Sequence, residues 1–134
     1  MNKILVGTDT TAAADLAVEA AADLARRAGA ELLVVQVRSN GARDAADPKK
    51  AADPDGYLRR MGERYAGVPV RSWAEDGEPA ERLVEIAERE RVDTIVLGNR
   101  GTHGSWWRVR DSVPNLVLRH APCSVFIVDT RKVQ

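Results

Sequence analysis

Short runs of apolar residues alternate along the chain with stretches of helical periodicity. Lys3–Val6 carries branched apolar residues and is closed by Gly7-Thr8-Asp9, which predicts a buried strand ending in a turn. Thr10 or Thr11 is placed to cap a helix in which Ala14, Ala17, Val18, Ala21 and Leu24-Ala25 recur on one face. Gly29 stands where a helix C-terminal glycine belongs. Glu31–Val37 (ELLVVQV) is a second apolar run. Strand, helix and strand with short joints are the βαβ grammar of a parallel sheet.

The pattern breaks between Arg38 and Gly56. Asn40-Gly41, Asp47-Pro48 and Asp53-Pro54 are turn dipeptides, and the residues between them are alanines and charges without an apolar face. This predicts a mobile loop. A second helix is expected over Tyr57–Ala66, with Leu58, Met61 and Tyr65 on one side. Val68–Trp73 reads as a third strand whose Pro69 favours a sheet edge. Glu78-Pro79 opens a third helix, with Leu83, Val84 and Ala87 as its buried stripe. Thr94–Leu97 is a fourth strand, Val113–His120 a fourth helix with Val113, Leu116 and Val117 inward, and Ser124–Val128 a fifth strand after the Ala121-Pro122 stop. The whole reads as one α/β domain over residues 1–134.

Composition narrows the classes. Lys+Arg and Asp+Glu are equal at 20 each, which argues against a partner as charged as nucleic acid. One cysteine excludes an intrachain disulfide framework and a four-cysteine metal site. No apolar run approaches the roughly 20 residues of a membrane span, and the N-terminal residues run straight into a strand, so a cytoplasmic location is expected.

The balanced total hides a basic stretch. Between Leu97 and His120 stand four arginines (100, 108, 110 and 119) and one acid, Asp111. This stretch begins Gly98-Asn99-Arg100-Gly101-Thr102-His103-Gly104 and ends at Ser112 and Val113, the start of the fourth helix. Glycines let backbone N–H groups approach an anion, and a helix N-terminus adds about half a positive charge. Arg100, Arg108 and Arg110 add cationic reach. Together with Gly7-Thr8-Asp9-Thr10-Thr11 after the first strand, these residues define a candidate phosphate site, although tight turns call for the same glycines.

Taken in order, several segments resemble the universal stress protein family: Gly7-Thr8-Asp9, Gly77-Glu78-Pro79-Ala80, Gly98-Asn99-Arg100-Gly101, Ser112-Val113-Pro114-Asn115 and His120-Ala121-Pro122-Cys123. The resemblance covers the chain except residues 38–56. It implies a five-stranded parallel doubly wound sheet of order 3-2-1-4-5, with helices on both faces and a crevice between strands one and four. It also implies an adenine nucleotide (ATP, ADP or AMP, with Mg as a possible companion) held by Thr8, Asp9, Thr10, Val37, Leu97, Gly98, Arg100, Gly101, Asp111, Ser112 and Val113. ATP-binding members carry Gly-x2-Gly-x9-Gly-Ser/Thr. Gly98, Gly101 and Ser112 match, but Asp111 stands where the third glycine is expected. A Cβ there obstructs the main chain's approach, and a carboxylate repels phosphate. The alternative expectation is therefore a nucleotide-free regulatory or scaffolding dimer whose phosphate site Asp111 closes.

The remaining candidates point away from catalysis. The Gly-x-Ser-x-Gly, Gly-x4-Gly-Lys-Ser/Thr and His-Glu-x-x-His signatures are missing, and Asp9 with the off-register Asp76 does not make a phospho-receiver set. The expectation is a regulatory protein, not an enzyme, with slow metal-assisted ATP hydrolysis as a weaker reading. His103 reads as an exposed loop residue and Cys123 as an inert packed thiol. Trp106 and Trp107 read as an interface, a stacking site or a roof to the crevice. As the last strand, residues 124–128 would leave an open edge, so antiparallel pairing across a two-fold axis predicts a homodimer, besides a protein partner of unknown identity.

Overall fold

Five parallel strands in the order β3-β2-β1-β4-β5 make one sheet in the computed structural model. In chain order the elements are β1 (Lys3–Thr8), α1 (Ala12–Ala28), β2 (Glu31–Arg38), β3 (Val70–Asp76), α2 (Pro79–Glu90), β4 (Thr94–Gly98), α3 (Val113–His120) and β5 (Ser124–Val128). The structure describes residues 1–8, 12–38, 56, 59–60, 63–65, 67–99 and 113–130. The predicted loop at 39–55 lies outside them.

Alternation along the strands sorts the apolar residues into two cores. Ile4 and Val6 of β1, Leu32 and Val34 of β2, and Val96 of β4 face α1, where Ala17, Val18, Ala21, Ala22 and Ala25 let the helix axis come close to the sheet. Leu5, Leu33, Val35, Ile95 and Leu97 face the other way, under Leu83, Ile86 and Ala87 of α2 and Val113 and Val117 of α3. Both faces of the central strands are thus covered, as a parallel sheet requires. Gly29 closes α1 at φ 67°. Glu78 is the N-cap of α2, with Pro79 in its first turn, and Arg91 ends that helix in the left-handed conformation.

Several boundaries differ from those read in the sequence. β1 continues through Gly7 and Thr8, which stay in ladder with Val35 and Gln36 of β2 instead of turning. Arg38 completes β2 opposite Asp76, and Gly56 is helical, so neither belongs to the predicted loop. Val68 and Pro69 precede β3, and the Pro69 carbonyl accepts the first cross-strand bond from Leu32 N (2.8 Å). The strand then runs on to Asp76, and it is a sheet edge as its proline suggested. On α2, Ile86 takes the buried place predicted for Val84, which is only half-buried. Leu116 is also half-buried.

At the amino ends of the strands, carboxylates tie the elements together. Arg71 Nε donates to Glu31 Oε2 (2.8 Å) and Arg71 Nη2 to Glu90 Oε1 (2.8 Å), linking β3, β2 and α2. Asp93 Oδ2 accepts the main-chain N–H groups of Asn2 and Lys3, the latter at 2.8 Å. The Arg71 hydrogen bond holds the Glu90 carboxyl below its ordinary range, and the Lys3 and Asn2 main-chain bonds do the same for Asp93. A carboxyl whose pKa is lower in the folded chain stabilises the fold above its unfolded value of about 4. That contribution drains away as pH falls through the folded value. The melting temperature of Asp93→Asn should consequently fall less than that of the parent between about pH 5 and about pH 2.5. Parallel melting curves would assign the acid sensitivity elsewhere.

Candidate functional site

Strand order reverses between β1 and β4: the chain runs outward from β1 to β2 and β3, then crosses back to β4 and β5. In an open parallel sheet the carboxyl ends of the strands at this reversal form the natural crevice for a ligand. Four elements end or begin there. Val37 near the end of β2, Leu97 near the end of β4 and Val113 at the start of α3 join one apolar cluster, all nearly enclosed. The N-terminus of α3 lies at the same crest, because the helix follows β4 in a parallel crossover, and it contributes partial positive charge.

Thr8 ends β1, fully buried, on the face it shares with Ile4 and Val6. The whole residue is enclosed, in ladder with Gln36 of β2.

Gly98 ends β4, in register with Val128 of β5. A Cβ built on it would come within 2.9 Å of Thr130 Cγ2, so the glycine accommodates the Thr130 methyl group. Thr130 is itself fully buried, and its N–H donates to Asn99 Oδ1 (3.0 Å). Asn99 entered the sequence reading only as part of the Gly98–Gly101 segment, and Thr130 did not enter it. The pair lies 31 positions apart, and only the tertiary fold brings them together.

Further along the crest, Arg38 Nε stands 3.4 Å from Asp76 Oδ1, and Gly77 N–H donates to the Arg38 carbonyl (2.9 Å). Gly77 has φ 141°, a conformation that glycine adopts without strain, which gives the Gly77-Glu78-Pro79 segment a physical reason for its first residue. Beside it, Glu75 accepts from Trp73 Nε1 (2.7 Å) and Arg89 Nη2 (2.8 Å). Burial pushes the Glu75 carboxyl up, but these bonds and the two neighbouring guanidinium charges outweigh it, and it ends below the usual range. At the far side of the sheet, burial pushes the Cys123 thiol up, which favours the protonated, unreactive form.

Of the residues singled out for ligand binding, Thr8, Val37, Leu97, Gly98 and Val113 are therefore brought to one crest. Asp9, Thr10, Arg100, Gly101, Asp111 and Ser112 lie outside the described residues, as do His103, Trp106 and Trp107. Among the described residues no three carboxylate, histidine or cysteine side chains are placed to share a metal ion. Nor is any helix among them long and apolar enough to cross a membrane.

A parallel sheet packed on both faces, with its strand order reversing between β1 and β4, defines a doubly wound α/β domain. The chain belongs to the universal stress protein family, whose model matches residues 1–129. It is 33% identical over 75 residues to universal stress protein MJ0531 of Methanocaldococcus jannaschii, a match covering 56% of this chain and 44% of that protein. Such curated relatives are matched over 37% to 62% of their own lengths. Among solved structures, a universal stress protein in complex with cAMP superposes with a TM-score of 0.78 at 27% identity, over 96% of this chain and 97% of that one. The universal stress protein UspA from Lactobacillus plantarum gives a TM-score of 0.79 at 29% identity, over 95% and 97%.

Proposed function

We propose that this chain is a regulatory stress-response domain that binds an adenine nucleotide in the crevice between β1 and β4. The observation that carries the reading is the convergence of Val37, Leu97 and the start of α3 at the reversal point of the sheet. These give an apolar bed for a base beside a helix N-terminus suited to phosphate. The structural relative that holds cAMP supports the same ligand chemistry.

On this reading Thr8 and Asp9 serve the ribose and base side, with Thr10 following them. Gly98, Arg100, Gly101, Asp111, Ser112 and Val113 serve the phosphate side. Asp111 adds negative charge where phosphates gather, so the crevice favours nucleotides with few phosphates, AMP or cAMP over ATP, unless Mg screens the carboxylate. The protein acts through its bound state, not through turnover, and passes that state to a protein partner.

A second copy of the chain completes the assembly. β5 is a sheet edge with Phe126 49% exposed on one face and Ile127 37% exposed on the other, whereas the inner strands are enclosed on both faces. Antiparallel pairing of two β5 edges would cover these side chains and satisfy the free edge. Isothermal titration of the chain with AMP, cAMP and ATP tests the ligand reading: saturable heat upholds it, and no heat at millimolar nucleotide overturns it.

A further inference from the structure

We infer that Asn99, locked by Thr130, is a positioning residue that fixes the direction in which the chain leaves β4 toward the residues of the phosphate side. This inference rests on the nucleotide reading above and adds the device that prepares the site. Asn99 N–H donates to the Val128 carbonyl (2.8 Å), which carries the β4–β5 pairing one residue past Gly98. Its side-chain Oδ1 accepts from Thr130 N–H (3.0 Å) and from Thr130 Oγ1–H (3.3 Å). Three hydrogen bonds thus join the exit of β4 to the exit of β5, and both lone pairs of one carbonyl oxygen are used.

Packing closes the same lock. Thr130 is fully buried, and its Cγ2 fills the space above Gly98. The exit of β4 is therefore held from both sides, by hydrogen bonds at Asn99 and by the methyl group at Gly98. The next residues in sequence are Arg100 and Gly101. A fixed exit from β4 removes part of the entropy cost of binding beyond it. Gly98 gains a second reason to be glycine, distinct from any phosphate: it makes room for Thr130.

The test uses the whole chain, with hydrogen exchange at the Thr130 amide and calorimetric titration with AMP as separate readouts. In Asn99→Ala we expect Thr130 exchange to quicken and AMP affinity to fall, each by about tenfold. Asn99→Asp, which keeps an acceptor oxygen in place, should retain the Thr130 protection, while its added negative charge weakens AMP binding by itself. Gly98→Ala should quicken exchange at residue 130, and adding Thr130→Ser, which removes Cγ2 but keeps the hydroxyl, should restore protection there.

Unchanged AMP affinity in Asn99→Ala overturns the inference. So does a Gly98→Ala, Thr130→Ser double variant in which exchange at residue 130 stays fast, because the methyl group then does not answer to Gly98. If Asn99→Ala does not fold, Thr130→Val, which loses only the hydroxyl bond, should show smaller changes in the same direction, and no change overturns the inference. If the parent chain binds no adenine nucleotide, the nucleotide reading falls and the positioning role falls with it. Exchange at Thr130 still decides the lock itself: loss of protection in Asn99→Ala upholds it, and unchanged protection overturns it.

Discussion

Asp111→Gly is expected to tighten ATP binding by about tenfold or more while changing AMP binding much less. Two unit charges of like sign 4 Å apart cost about 4 kcal/mol at an effective dielectric of about 20, before salt screening. The neighbouring Arg108 and Arg110 offset part of that cost, which leaves a net penalty on the order of 1.4 kcal/mol, or tenfold. The penalty grows with the number of phosphates near the carboxylate, so the gain should fall in the order ATP, ADP, AMP. Glycine, the residue the family motif carries at this position, also has no Cβ to limit the main chain's approach to a ligand. Parallel calorimetric titrations of parent and variant read this directly. Unchanged or weaker ATP binding in the variant would show that Asp111 is not the obstacle.

How much of this was legible in the sequence depended on the range of the signal. Val113–His120 and Ser124–Val128 are found with the bounds the pattern predicts, because Ala121-Pro122 marks the stop between them. β1 ran past its expected end because Gly7 is a turn signal only when no neighbour pairs with it, and here the ladder to Val35 holds it extended. On α2, Leu83 and Ala87 were plain from helical spacing, while the choice between Val84 and Ile86 depends on how the helix lies across the sheet. That is a tertiary fact with no local trace.

The crest of Thr8, Val37, Leu97, Gly98 and Val113 was legible because family motifs and the strand ends fall at the same positions. Asn99 and Thr130 were not. Nothing near Thr130 in the sequence signals that its methyl group needs a glycine 32 positions earlier, and only the β4–β5 register brings the two together. The basic stretch from Arg100 to Arg110 was legible as charge and glycine content alone.

Phe126→Asp is expected to turn a sedimenting dimer into a monomer. Burying the exposed half of Phe126 contributes about 0.7–1.5 kcal/mol. A two-fold interface counts each contact twice, so the dimer should weaken by at least about tenfold. The carboxylates add their own desolvation cost where the two edges meet. The variant should keep its far-UV circular dichroism, since Phe126 is half exposed in the single chain and contributes little to either core. Sedimentation velocity over a concentration series distinguishes the outcomes. A dimer that persists in Phe126→Asp, or a parent chain that is monomeric throughout, would remove β5 as the seam.

The crevice between β1 and β4 is expected to take an adenine nucleotide. The decisive measurement is isothermal titration of the intact chain with AMP, cAMP and ATP, with and without magnesium, and with GTP as control. Saturable heat is expected with the adenine nucleotides, strongest for those with a single phosphate, and none with GTP. No heat from any adenine nucleotide at millimolar concentration would contradict it.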